Sequence, residues 1–176
     1  MKDLNILICE GNTPAEGKIF QSVGIPTHTE SLKESLTYYN QNLKIDVLNP
    51  CLEIDLNEIV PNLNKYDGLI WGGSSLNIYN DTPEIRRQIF FMKECFKNVK
   101  KILAICWGMQ VAVTAAGGEV KRGINGFHIG IANDIELTND GLNNLIYKDK
   151  KNKFNTPAFN FDEVVTTPTG TIHLAS

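Results

Sequence analysis

Short apolar runs that alternate with helical stretches constrain the fold of this chain more than any other feature. The runs lie at residues 4–9, 44–48, 69–71 and 101–105. Each is too short for a helix and rich in Ile, Leu or Val, which is typical of a buried strand. Strands separated by helices predict an α/β fold with an open, mostly parallel, flavodoxin-like sheet and helices on both faces.

Two of the intervening helices can be placed in detail. Residues 11–29 contain too many Gly and Pro for a continuous helix. The first helix is therefore predicted to begin at the end of this stretch, with Thr29 or Ser31 as its N-cap. Pro83 is suited to the first position of a helix over residues 84–98. The predicted apolar face of that helix consists of Ile85, Ile89, Met92 and Phe96.

The character of the sequence changes at Gly118. Residues 119–122, 127–132 and 134–138 read as strands without intervening helices, with a final strand around His173, and predict a β-rich C-terminal segment. No repeat or low-complexity tract separates this segment from the rest, so residues 1–176 are predicted to form a single domain.

Composition excludes several functional classes. The net charge of −3 provides no basic surface for nucleic acid, and no apolar stretch reaches the length of a membrane helix. We therefore predict a soluble, cytoplasmic protein. The cysteines, Cys9, Cys51, Cys95 and Cys106, have neither CxxC spacing nor a nearby His, so no metal site is predicted. Cys9 and Cys95 are predicted to be core thiols.

Cys106 differs from the other three cysteines because it lies where the apolar run 101–105 turns into a helix. Ala104 and Gly108 flank it, as the tight strand–turn–helix of a nucleophile elbow requires. The helix that follows would favour a thiolate and a developing oxyanion. A buried Cys at a strand end is the alternative, and the local pattern alone leaves it open.

A glycine pair, Gly72-Gly73, follows the third apolar run about thirty residues before Cys106. Loops at the carboxyl ends of neighbouring parallel strands meet at one crevice, and glycines let backbone N–H groups approach a ligand closely. A simple chain-reversing turn remains the alternative. The pair has neither the Lys of a phosphate loop nor GxGxxG spacing, so no nucleotide or other cofactor is predicted.

Together these motifs resemble the class I glutamine amidotransferases. Residues 67–75 are similar to the family's oxyanion loop, and residues 105–110, followed by 115–118, are similar to its nucleophile motif. Residues 122–130 and 162–176 resemble later family segments, so the similarity covers nearly the whole chain. The overall appearance is nearest to the stand-alone subgroup named after GMP synthase.

The resemblance implies a role for each matching residue. Cys106 would attack the side-chain amide of glutamine and form a γ-glutamyl thioester. The N–H groups of Gly73 and Trp107 would form the oxyanion hole, Gln110 would help to hold glutamine, and Gly72 would shape the loop. The ammonia released would pass to a partner synthetase or synthase.

The chain departs from the family pattern at the catalytic base. Its histidines, His28, His128 and His173, are not followed by the Pro-Glu of the family's His-Pro-Glu motif. We predict that the sequence is incomplete at its C-terminus, and that this polypeptide has little glutaminase activity while its full-length parent is active. Ala104 and Met109 replace a frequent Gly and His, and residues 159–162 lack a frequent Ser-His pair.

Two other functions fit the same residues. A γ-glutamyl peptidase or hydrolase would use the same Cys106 thioester, because the acyl half of its substrates is the same. A non-catalytic binding module would keep the fold after losing the base. A downstream His-Pro-Glu favours either enzyme over the binding module.

Overall fold

The computed structural model describes residues 3–124 and 126–176. The chain divides into two compact units, Met1–Gly117 and Gly118–Ser176. The boundary coincides with the change of character that the sequence shows at Gly118. Every helix in the described part of the chain is too short or too polar to cross a membrane.

The first unit is built on a parallel sheet of four strands in the order β2-β1-β3-β4. The strands are β1 (Leu4–Cys9), β2 (Leu43–Leu48), β3 (Gly68–Trp71) and β4 (Ile102–Ala104). Each overlaps an apolar run of the sequence, so the predicted sheet is confirmed. Because β1 lies in the interior of the sheet, its last residues, Leu7, Ile8 and Cys9, are almost fully buried.

Helices flank this sheet. They are α1 (Pro14–Ser22), α2 (His28–Tyr39), α3 (Leu56–Ile59), α4 (Pro83–Asn98) and α5 (Trp107–Ala115), with 3₁₀ turns at Val60–Lys65 and Ile78–Asn80. The chain runs outward from β1 in one direction to β2 and in the other to β3 and β4. Since such crossovers are right-handed, the connections on the two sides cover opposite faces of the sheet.

The start of the helical region differs from the sequence prediction. Helix α1 lies within residues 11–29, where none was predicted, because Thr13 caps it and Glu16 completes a capping box. The cap of α2 is Thr27, paired with Glu30, rather than Thr29 or Ser31. In both helices the Thr-x-x-Glu signal outweighs the nearby glycines and prolines.

Helix α4 starts at Pro83 as predicted, but its buried face is different. Ile85 and Met92 are fully buried, whereas Phe96 is 44% exposed and its predicted place in the core is wrong. Phe91 is fully buried instead, and Cys95 is fully buried as predicted. The helix packs against both α5 and the 3₁₀ turn at residues 60–65, and this broadens and shifts its buried stripe.

The second unit contains two separate antiparallel pairs. Strand β5 (Glu119–Arg122) pairs with β8 (Asp162–Thr166), and β6 (His128–Glu136) pairs with β7 (Lys153–Asn160). A short helix α6 (Asn139–Leu142) and a 3₁₀ turn (Leu145–Tyr147) lie between β6 and β7. They follow residues 119–138, the stretch that was predicted to contain strands without helices.

Three details of this unit also differ from the sequence prediction. The strands predicted over 127–132 and 134–138 are one strand, β6, with an irregularity where Asp134 has φ 61°. Strand β7 was not predicted, since Pro157 interrupts its pattern. The final strand expected around His173 is only a bridge between Leu137 and Ala175, and His173 is exposed.

Candidate active site

The turn from β4 into α5 has the backbone of a nucleophile elbow. Cys106 is the N-cap residue of α5 and has φ 53° and ψ −107°, a conformation that is rare for a residue with a side chain. The Ile105 N–H still donates to the Trp71 carbonyl at 2.9 Å, so strand pairing continues to the residue before the turn. The strain is therefore confined to the residue that carries the thiol.

Gly108 makes this tight turn possible. A Cβ at this position would lie 2.4 Å from the carbonyl oxygen of Trp71 and 2.8 Å from its Cβ. The Gly108 N–H donates to the carbonyls of Gly72 and Ile105, each at 3.0 Å. The elbow and the glycine pair are thus joined directly, as the sequence places them on neighbouring strands β3 and β4.

The loop after β3 lies at the same edge of the sheet. Gly72 and Gly73 are both buried, and the imidazole of His28, an exposed residue at the start of α2, stands 3.2–3.3 Å from where a Gly73 Cβ would be. His28, Leu32, Gly72, Gly73 and Ile105 line a groove of about 200 Å³. The position of His28 beside the glycine pair was not foreseen from the sequence.

Asn12 holds the second half of this loop. It is fully buried, and its Oδ1 accepts from the Ser75 N–H at 3.1 Å and from the Ser74 hydroxyl at 3.0 Å. The Ser75 hydroxyl also donates to Glu16 at 2.7 Å. Within the described residues the Asn12 Nδ2 is buried without a hydrogen-bond partner. The loop after β1 therefore fixes the loop after β3.

The four thiols fall into two groups. Cys106 is exposed, whereas Cys9, Cys51 and Cys95 are buried. Desolvation is the main reason that the pKa of Cys51 and the pKa of Cys95 are each raised to about 12. It also raises the pKa of Cys9 well above its usual value. Burial therefore keeps these three thiols protonated and leaves Cys106 as the accessible thiol.

Trp107 and Gln110, which follow Cys106 in α5, are both buried. The Trp107 side chain is 1% exposed, and its backbone N–H lies in the first turn of α5, where helices offer no internal acceptor. The Gln110 N–H donates to the Cys106 carbonyl at 3.1 Å. The Gln110 side chain is 7% exposed, and within the described residues its Oε1 has no hydrogen-bond partner.

The structure thus brings Cys106, Trp107, Gly72 and Gly73 to one edge of the sheet, with Gln110 on the first turns of α5. His128 and His173 lie in the second unit. Sequence reasoning missed Asn12 and Gln88, two fully buried polar residues. Asn12 could have been found from its place after β1, and Gln88 from its position as a polar residue on the otherwise apolar face of α4.

Comparisons with known proteins agree with this geometry. The model of the glutamine amidotransferase class-I family matches residues 27–173. A γ-glutamyl-L-1-hydroxyisopropylamide hydrolase from a Pseudomonas species is 31% identical over 98% of this chain and 59% of its own. A glutamine-hydrolysing GMP synthase from Thermotoga maritima is 33% identical over 61% of this chain and 19% of its own.

A solved structure shares the fold. The crystal structure of a glutamine amidotransferase from Thermotoga maritima matches 99% of this chain and 67% of its own, with a TM-score of 0.69 at 18% identity. The chain spans about three fifths of the length of the Pseudomonas hydrolase. On the match to the family model, the chain belongs to the class-I glutamine amidotransferase family.

Proposed function

We propose that this protein hydrolyses the side-chain amide of glutamine through a γ-glutamyl thioester on Cys106. The observation that carries the proposal is the one exposed thiol among the cysteines, held at a strained strand-to-helix turn beside the Gly72-Gly73 loop. A thiol in that position meets a substrate in the crevice at the carboxyl edge of the sheet.

The reaction starts when the Cys106 thiolate attacks the amide carbon. The C–S bond forms, the C=O electrons move to oxygen, and a tetrahedral oxyanion results. Collapse of this intermediate breaks the C–N bond and releases ammonia, whose nitrogen takes up a proton. Water then attacks the thioester, releasing glutamate and restoring the thiol.

The oxyanion needs donors fixed in place before the reaction. We propose the backbone N–H groups of Gly73 and Trp107 for this role. The Gly108 N–H bond to the Gly72 carbonyl supports the pairing, since it fixes the glycine loop against the first turn of α5. The positive end of the α5 dipole favours both the thiolate and the oxyanion.

Two further roles complete the proposal. Gln110 is proposed to help hold glutamine. Its buried Oε1, which has no hydrogen-bond partner among the described residues, supports this role because a substrate donor would satisfy it. The resemblance assigns the roles of general acid and general base to a His-Pro-Glu motif, and residues 1–176 contain no such sequence.

We also propose that both units belong to one amidotransferase domain and that a synthetase or synthase partner accepts the ammonia.

A second function is favoured by one observation. The relative that matches 98% of this chain is named for hydrolysis of a γ-glutamyl alkylamide rather than of glutamine. The same Cys106 thioester would serve such a substrate, because only the leaving amine differs. We therefore propose γ-glutamyl amide hydrolysis as the alternative.

One assay tests both functions. The natural protein that contains this sequence is given L-glutamine or a γ-glutamyl alkylamide, and glutamate release is measured for wild type, Cys106→Ala and the control Cys95→Ala. Loss of the nucleophile should lower kcat on the order of 10⁴-fold or more, while the control stays within a few-fold. Faster turnover of glutamine supports the amidotransferase, and faster turnover of the alkylamide supports the hydrolase. Full activity of Cys106→Ala would contradict both.

A further inference from the structure

A polar side chain lies on the otherwise apolar face of helix α4. Gln88 is 0% exposed, and both ends of its amide are bonded. Its Nε2 donates to the Gly11 carbonyl at 3.2 Å and to the Cys51 sulfur at 3.0 Å. Its Oε1 accepts from the Trp107 indole N–H at 2.8 Å. Since an indole is only a donor and a carbonyl only an acceptor, these partners fix the orientation of the amide.

The partner of Gln88 is the residue that follows Cys106. The Trp107 indole is held from two sides, by Gln88 and by Gly11, where a Cβ would lie only 2.6 Å from the indole Cδ1. Gly11 is in turn the residue whose carbonyl accepts from Gln88. The indole therefore has little freedom to turn, and its orientation constrains the backbone of Trp107.

Trp71 shows that the core does not require such a bond. Its side chain is also fully buried, yet within the described residues its indole Nε1 has no hydrogen-bond partner. Both tryptophans lie at the same edge of the sheet, one at the end of β3 and one at the start of α5. Only the tryptophan beside the nucleophile is fixed by a buried amide.

We propose that Gln88 is a positioning residue for the reaction, acting through the Trp107 indole on the backbone N–H of Trp107. This inference rests on the proposed function, in which that N–H donates to the oxyanion. Gln88 does not touch substrate. It holds a donor whose displacement by a fraction of an ångström weakens the interaction that develops in the transition state.

The kinetic test compares Gln88→Met, Trp107→Phe, their double variant and the control Trp71→Phe in the natural protein that contains this sequence. Gln88→Met keeps the side-chain volume and removes the bond. We expect it to lower kcat by roughly 10- to 100-fold with KM within about threefold. The double variant should be no slower than the slower single one, because both remove the same link. The control should stay within a few-fold.

Two further measurements separate positioning from loss of folding. Alkylation of Cys106 by iodoacetamide needs no oxyanion hole, so its rate should stay within about twofold in Gln88→Met. Gln88→Glu keeps an acceptor for the indole and should restore part of kcat. If Gln88→Met lowers kcat less than threefold, or lowers kcat and alkylation equally, Gln88 is only a core residue and the inference is wrong.

Nuclear magnetic resonance tests the link without activity. In ¹⁵N-labelled protein, Gln88→Met should shift both the indole and the backbone N–H signals of Trp107 and leave the Trp71 indole signal in place. An unshifted Trp107 backbone signal would overturn the inference. If wild type hydrolyses neither glutamine nor a γ-glutamyl amide, the proposed function fails, and this spectrum alone decides whether Gln88 positions Trp107.

Discussion

The two units of the chain differ in how they use apolar side chains. In the first unit, large residues such as Trp71, Phe91 and Trp107 are almost fully buried. In the described part of the second unit, Val120 is the one large apolar side chain in the core, while Phe159 is 63% exposed and Ile129 61% exposed. The difference indicates that the close packing of the first unit is what supports the candidate site.

The largest expected difference in stability is between two phenylalanine-to-alanine variants, one in each unit. Phe91 in α4 is fully buried, so Phe91→Ala should lower the free energy of unfolding by about 3–5 kcal/mol. Phe159→Ala in β7 removes a side chain that is 63% exposed and should change it by under about 0.5 kcal/mol. Urea unfolding followed by circular dichroism measures both. Equal losses would contradict the comparison.

Two glycines of the first unit test the same comparison between closely packed and open positions. Gly108→Ala would place a Cβ 2.4 Å from the Trp71 carbonyl oxygen, so we expect a loss of at least about 1–3 kcal/mol. A Cβ at Gly17, in α1, would come within 4 Å of none of the described residues. Gly17→Ala should therefore raise stability by about 0.5–1 kcal/mol, because alanine loses less entropy in a helix. Thermal unfolding measures both. A neutral Gly108→Ala would show that the elbow is looser than described.

A smaller effect depends on pH. The pKa of buried Cys95 is raised from 9.0 to about 12, mainly by desolvation, so the folded state holds this proton more tightly than the unfolded state. Its contribution to stability is therefore full below pH 9.0 and decreases as pH rises toward 12. We expect wild type to lose about 1 kcal/mol from this thiol between pH 8 and pH 10.

The control for this prediction is Cys95→Ala. Its unfolding free energy should fall less steeply over the same pH range, since one titrating thiol has been removed. The second unit contains no cysteine, so the whole effect of the thiols arises in the first unit. Identical slopes for wild type and variant would show that Cys95 is not desolvated.

The sheet of the first unit could be predicted because short apolar runs that alternate with helical stretches are typical of buried strands. Cys106, Gly72 and Gly73 could be placed at one edge for the same reason, since parallel strands end together. Asn12 and Gln88 could not be assigned roles, because their partners lie 62 and 77 residues away in sequence at Ser74 and Gly11. Local patterns carry no information about such pairs.

The errors in the second unit have a related cause. Strand β7 alternates half-buried and exposed residues, and it contains Pro157, two Asn and one Thr. Its pairing with β6 is what makes it a strand, and that pairing is not visible in its own sequence. In α4, Phe96 fitted the helical period, but the neighbours α5 and the 3₁₀ turn decide which side is buried.

The most direct test of the central claim is covalent labelling of Cys106. The natural protein that contains this sequence is incubated with 6-diazo-5-oxo-L-norleucine, an electrophile shaped like glutamine, and its intact mass is measured beside that of Cys106→Ala. We predict one adduct on wild type and none on the variant. No adduct on wild type, or an adduct that persists in Cys106→Ala, would contradict the assignment of Cys106 as the nucleophile of a glutamine site.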